Sequence, residues 1–158
     1  MVSAPLTSTV DEPDSKTRLR LWIRLLRASR LIEGATRERL KRQFHATLPR
    51  FDVMAALFRK PDGMLMSEIS RFLMVSNGNV TGIVDRLVAD GFVARSQRNG
   101  DRRTSFITLT RKGRAAFAEM AAAHESWVDE LLGGVSVRDA EQMSAKLRVF
   151  RSDWEGEA

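Results

Sequence analysis

Residues 67–110, SEISRFLMVSNGNVTGIVDRLVADGFVARSQRNGDRRTSFITLT, decide the fold. Ser67 is a good N-cap for a short helix, SEISRFL, whose Ile69, Phe72 and Leu73 face a core. Met74 and Val75 make a brief connector. Ser76 then caps a longer helix in which Val80, Ile83, Val84 and Leu87 recur at helical spacing. Gly91 falls where a left-handed C-terminal cap belongs. The period next shifts to two. FVARSQ and RTSFITLT flank RNGD, and Asn99-Gly100 is a strong hairpin signal because a type I′ turn needs positive φ at both central residues. Two helices joined by a tight turn and followed by a basic hairpin form a winged helix-turn-helix pattern.

Outward from that stretch, residues 16–45 read as one long helix with Leu19, Trp22, Ile23 and Leu26 as its apolar stripe. Gly34 inside it invites a bend or close packing. Pro49 suits the first turn of a second helix, LPRFDVMAALF, which Pro61-Asp62-Gly63 ends. After the hairpin, Thr110 caps a helix running to about Leu132. Gly133-Gly134 break it, and Ser136 caps a last helix expected through Trp154. The expected organisation is a loose tail over 1–15, dimerisation helices at 16–45 and 114–154, and a DNA-binding lobe over 47–113. The fold class is mainly α with a small β-wing.

Charge follows the same division. Residues 16–50 carry eleven bases and two acids, and residues 67–114 carry nine bases and four acids. Residues 115–158 carry four bases and nine acids. A polyanion is therefore steered to the first and middle parts of the chain. There is no cysteine, which excludes disulfides, thiol catalysis and thiol-based sensing. No stretch approaches the roughly 20 apolar residues of a membrane span, and the N-terminus does not read as a signal peptide. A cytoplasmic location is expected. His45 and His124 belong to no metal-ligand spacing, and no phosphate loop or nucleophile elbow is present. No catalytic residue, metal or cofactor is expected.

The longer helix has a first turn suited to base edges. Its apolar face leaves Asn77, Gly78, Thr81, Gly82 and Asp85 outward; Asn reads adenine edges and Thr reads a hydroxyl acceptor or the thymine methyl. The expected DNA-binding set is Ser76, Asn77, Asn79, Thr81 and Arg86, with Arg98, Arg102 and Arg103 of the wing suited to the narrow minor groove. Asp85 and Arg86 are expected either to pair, aiming the arginine at phosphate, or to be a surface pair of little worth.

VSNGNVTGIVDRLVADGFV followed by DRRTSFITLTRKG resembles the multiple antibiotic resistance regulator (MarR) family over roughly residues 18–152. Asp101, Arg103, Leu109, Thr110, Lys112 and Gly113 stand where that family's wing signature has them. The resemblance implies a triangular homodimer whose two lobes read half-sites of a pseudo-palindromic operator in double-stranded DNA. Two-fold readers need roughly 34 Å between recognition helices, one DNA turn. The Ser-Asn-Gly-Asn-Val-Thr-Gly run, with LRLWIRLLRA and LPRFDVMAAL before it, is similar to a subgroup controlling aromatic-acid catabolism, in which aryl-CoA thioesters are frequent effectors. Such a ligand needs an apolar slot and cations for its phosphates. Trp22, Leu26, Phe51 and Met54 are candidates for the slot. Arg27, Arg30, Arg50 and His45 are candidates for the polar contacts, with Arg20 and Arg24 as further phosphate partners. The same residues read equally well as core and solvated surface. The function expected is a repressor released by a small aromatic ligand; the alternatives are a winged-helix protein-interaction module or a DNA-binding protein with no ligand.

Overall fold

The computed structural model describes residues 13–97 and 105–150. Six helices and three short strands follow in the order α1 (Asp14–Phe44), α2 (Leu48–Arg59), β1 (Met64–Leu65), α3 (Met66–Leu73), α4 (Asn77–Ala89), β2 (Val93–Gln97), β3 (Ser105–Leu109), α5 (Arg111–Leu131) and α6 (Val137–Leu147). The chain divides into two units between Ala35 and Thr36. The described part of the first is the N-terminal stretch of α1, where a Cβ at Gly34 would meet open space.

The expected elements form, for local reasons that can be named. Thr47 caps α2 by accepting from the Arg50 N–H, and Pro49 lies in the first turn, where its missing N–H costs nothing. Thr110 caps α5 by accepting from Gly113 N at 3.0 Å, and Ser136 caps α6 by accepting from Asp139 N at 3.1 Å. Between α3 and α4 the chain turns through Met74 in the left-handed region, and the Ser70 hydroxyl donates to the Val75 carbonyl at 2.5 Å. Gly91 takes φ +75 just past α4, as a left-handed cap requires.

Three expectations are corrected. The α3 helix starts at Met66 with Leu65 as its cap, and Ser67 is inside it. The Glu68 carboxylate accepts the Leu65 N–H at 2.7 Å, the half of a capping box that reaches back from the third position to the cap residue's own N–H. Leu65 is held there because β1 pairs antiparallel with β3, Met64 opposite Ile107 and Leu65 opposite Phe106, giving a sheet of order β1-β3-β2. The last helix ends at Leu147; Trp154 lies outside the described residues. Asp85 pairs with Arg95 on β2 and not with its neighbour Arg86. Successive residues on a helix point about 100° apart, so Asp85 reaches across to the strand more easily than along the chain.

The core gathers Val53, Met54 and Leu57 of α2, Ile69 of α3, Val80, Val84 and Leu87 of α4, Ile107 of β3, and Phe117 and Met120 of α5, with Leu40 from the end of α1. The sheet and α5 are locked by a close approach. A Cβ on Gly113 would lie 1.9 Å from the Phe92 carbonyl oxygen, so only glycine permits it. Beside it the Lys112 ammonium donates to the Asp90 carbonyl at 2.8 Å and lies over the Phe92 ring. Among the described residues, no buried side-chain polar atom lacks a partner.

A candidate DNA-reading face and an adjoining cleft

Helix α4 carries three stripes. Val80, Val84 and Leu87 are fully buried and Ile83 is half-buried. Asn77, Thr81 and Asp85, one helical turn apart, form an exposed polar stripe. Gly78, Asn79, Gly82 and Arg86 form another, and these four line a cleft. The side-chain amides of Asn77 and Asn79 have no protein partner among the described residues. Thr81 donates its hydroxyl to the Asn77 carbonyl at 3.0 Å. Ser76 is the N-cap of α4, yet its hydroxyl makes no capping bond. A Cβ at Gly78 or Gly82 would meet open space, so packing does not demand glycine at either place. Each costs the helix about 1 kcal/mol against alanine.

The β2 and β3 strands pair out to Gln97 opposite Ser105. Arg98, Arg102 and Arg103 lie outside the described residues. The Arg95–Asp85 pair ties the described part of the hairpin to α4.

The cleft has a volume of about 1100 Å³ and lies between the end of α1, the start of α2, the α3–α4 turn and α4. Its cations are Arg37, Lys41, Arg50 and Arg86, against the acids Glu38 and Asp52, so it favours an anion. Arg86 has no ion-pair partner among the described residues. A second cavity of about 220 Å³ lies behind, with Phe44, Met54, Asp90 and Met120 in its wall. His45 and Arg50 line both. His45 has φ +51, uncommon for a residue with a side chain.

The expected ligand residues separate. His45 and Arg50 meet at the cleft, and Met54 reaches the smaller cavity. Phe51 is buried, its ring 4.8 Å from His124 in a stacked arrangement and 5.4 Å from Phe117. Burial holds the His124 pKa below its ordinary value. Trp22, Leu26, Arg27 and Arg30 belong to the first unit, where Trp22, Arg27 and Arg30 are exposed and Leu26 is half-buried. Arg37 and Lys41 were not singled out from the sequence. Their signal was present: 37 and 41 are one turn apart and so share a face of α1, with His45 just past the end of that helix. On the opposite side of α1 Arg39 grips Glu130 of α5 with two bonds of 2.7 and 3.0 Å, which lowers the carboxyl pKa and raises that of the guanidinium. Among the described residues no group of three or more His, Asp or Glu could hold a metal ion, and no helix is long and apolar enough to cross a membrane.

Comparison with known proteins agrees on the kind of molecule this is. The MarR family model matches residues 46–105. The transcriptional activatory protein BadR of Rhodopseudomonas palustris is 31% identical over 144 residues, covering 88% of this chain and 82% of BadR. A MarR family transcriptional regulator from Silicibacter pomeroyi has a crystal structure with TM-score 0.71 and 36% identity, covering 87% of this chain and 95% of that one. CouR of Rhodococcus jostii RHA1, solved with p-coumaroyl-CoA bound, has the same fold at TM-score 0.71 and 19% identity, covering 81% of this chain and 88% of CouR.

Proposed function

The chain belongs to the MarR family of transcription regulators, which are not enzymes, and from that premise we propose a homodimeric repressor released by a small aromatic anion. The dimer holds a pseudo-palindromic operator in double-stranded DNA. The effector, by this proposal an aryl-CoA thioester such as a hydroxycinnamoyl-CoA, fills the cleft. One observation carries the reading: α4 sinks its apolar side in the core and turns Asn77 and Thr81 outward, while its neighbouring stripe is a wall of a cationic cleft. An occupant of that cleft touches the DNA-reading helix itself. It can therefore prefer one state of the helix over the other, which is what a ligand needs in order to shift an equilibrium. CouR supports the effector class by its bound p-coumaroyl-CoA.

The test has two arms. A gel shift against the DNA upstream of the chain's own coding region should show binding that weakens steeply with salt, because each phosphate neutralised releases counterions. Asn77→Ala and Thr81→Ala should each cost about 1–3 kcal/mol and relax base preference. Calorimetry with hydroxycinnamoyl-CoA, benzoyl-CoA and the free acids then examines the effector. Binding of none of these removes the effector and leaves the DNA arm standing. A reporter fused to the upstream DNA should rise when the gene is deleted; a fall makes the protein an activator.

A further inference from the structure

Arg50 stands in the first turn of α2, in the wall of both cavities, and pairs through Nη2 with the Asp90 carboxylate at the C-cap of α4. The end of α4 is thus gripped twice. On one side α5 holds its backbone, Lys112 Nζ donating to the Asp90 carbonyl and Thr110 Oγ1 to the Gly91 carbonyl at 2.7 Å. On the other side α2 holds it through the single Arg50–Asp90 pair. Lys112 and Thr110 line neither cavity, so the first grip is indifferent to what the cleft contains. Arg50 lines both, so the second is not.

Two physical features set this pair apart from an ordinary brace. Arg50 is a cation at a helix N-terminus and Asp90 an anion at a helix C-terminus, each at the end whose partial charge disfavours it. With the two residues exchanged, the same bridge would form with both dipoles favourable. The present polarity instead puts the cation toward the cleft. In addition, Asp90 engages only one amino group, while Nε and Nη1 of Arg50 have no protein partner among the described residues. Carboxylates and phosphates bind a guanidinium best with two prongs, so an entering anion can offer a better grip than Asp90 does. The strained His45 shares the same corner.

We propose that Arg50 is a two-position contact: it holds the end of α4 through Asp90 when the cleft is empty and turns to the carboxylate or phosphate of the effector when it is filled. This deepens the reading of the cleft as the effector site and rests on it. Anion binding loosens the C-terminal end of the DNA-reading helix, and DNA binding returns Arg50 to Asp90.

The experiment uses the full chain, with Asp90→Asn, Arg50→Gln and the exchanged pair Arg50→Asp with Asp90→Arg. The probe is hydroxycinnamoyl-CoA by calorimetry, and DNA affinity is read by gel shift on the upstream fragment. Asp90→Asn removes the competitor, so the thioester should bind roughly three- to tenfold more tightly and DNA more weakly by a similar factor. Arg50→Gln should weaken both. The exchanged pair should recover DNA binding without recovering the thioester. Unchanged affinities in Asp90→Asn, or a folded exchanged pair that fails to recover DNA, overturn the proposal. If the unaltered protein ignores the thioester, the effector assignment is what fails. Hydrogen exchange at residues 86–92 then decides the contact: faster in Asp90→Asn and restored in the exchanged pair supports it, and no change overturns it.

Discussion

The DNA-reading lobe and helix α6 belong to one unit yet treat apolar residues in opposite ways. In the lobe, Val80, Val84, Leu87 and Ile107 are wholly buried. In α6 no residue is buried, and the apolar Val137, Met143 and Leu147 are exposed, Val137 by 77%, with Phe150 beyond them at 76%. Leu19, Leu21, Trp22, Ile23 and Leu31 of α1 are exposed as well. A lobe that fills its own core has no use for more apolar surface. Large apolar side chains left this exposed suit a surface that a partner covers. The difference separates a self-sufficient lobe from terminal helices whose exposed apolar residues, in the homodimer proposed above, a second copy covers.

That contrast can be broken most forcefully in the core. Leu87→Ala removes a fully buried side chain and should cost about 2–5 kcal/mol in denaturant unfolding. Met143→Glu, on the exposed face of α6, should leave the lobe folded by circular dichroism and give monomers in sedimentation. Its operator affinity should drop on the order of 100-fold because two half-sites are no longer engaged together. An unaltered dimer would break the comparison. Gly82→Ala sharpens it from the other side: open space around Gly82 means a gain of roughly 0.5–1 kcal/mol in stability, while operator or thioester binding weakens if that surface is in use. The smallest effect concerns His124. Its pKa is held down in the fold, so the unfolded chain takes up a proton first as pH falls below about 6.5. Stability is full above that pH, declines as pH drops through it, and levels off below the folded value. His124→Phe should remove that decline in thermal melts taken from pH 8 to 5.

Much of this is legible in the sequence, for reasons that recur. The α4 core stripe is readable because 80, 84 and 87 repeat at the helical period, and α5 and α6 because Thr110 and Ser136 are caps that act within four residues. β1 was invisible: two residues cannot show a period, and Met64–Leu65 is a strand only because β3 lies beside it. The start of α3 moved with it. Lys112 and Gly113 could be recognised as a motif, but the reason for them, a carbonyl at contact distance, is tertiary. The cleft was the least legible part, since it is made of positions 37 to 86 drawn from four elements. Arg50 and His45 were candidates by type; that they stand in one wall together depends on the turn between α1 and α2.

In the reading of the operator proposed above, the Thr81 hydroxyl limits which bases it can accept. Its hydrogen is spent on the Asn77 carbonyl, so what it shows outward is a methyl group and oxygen lone pairs. Guanine presents only acceptors along its major-groove edge and would face that oxygen without a proton between them, whereas thymine offers a methyl, and adenine or cytosine an amino group. A selection from randomised duplexes should therefore return sites depleted in guanine at the base opposite Thr81, and Thr81→Val should keep a taste for thymine while losing the amino-bearing bases.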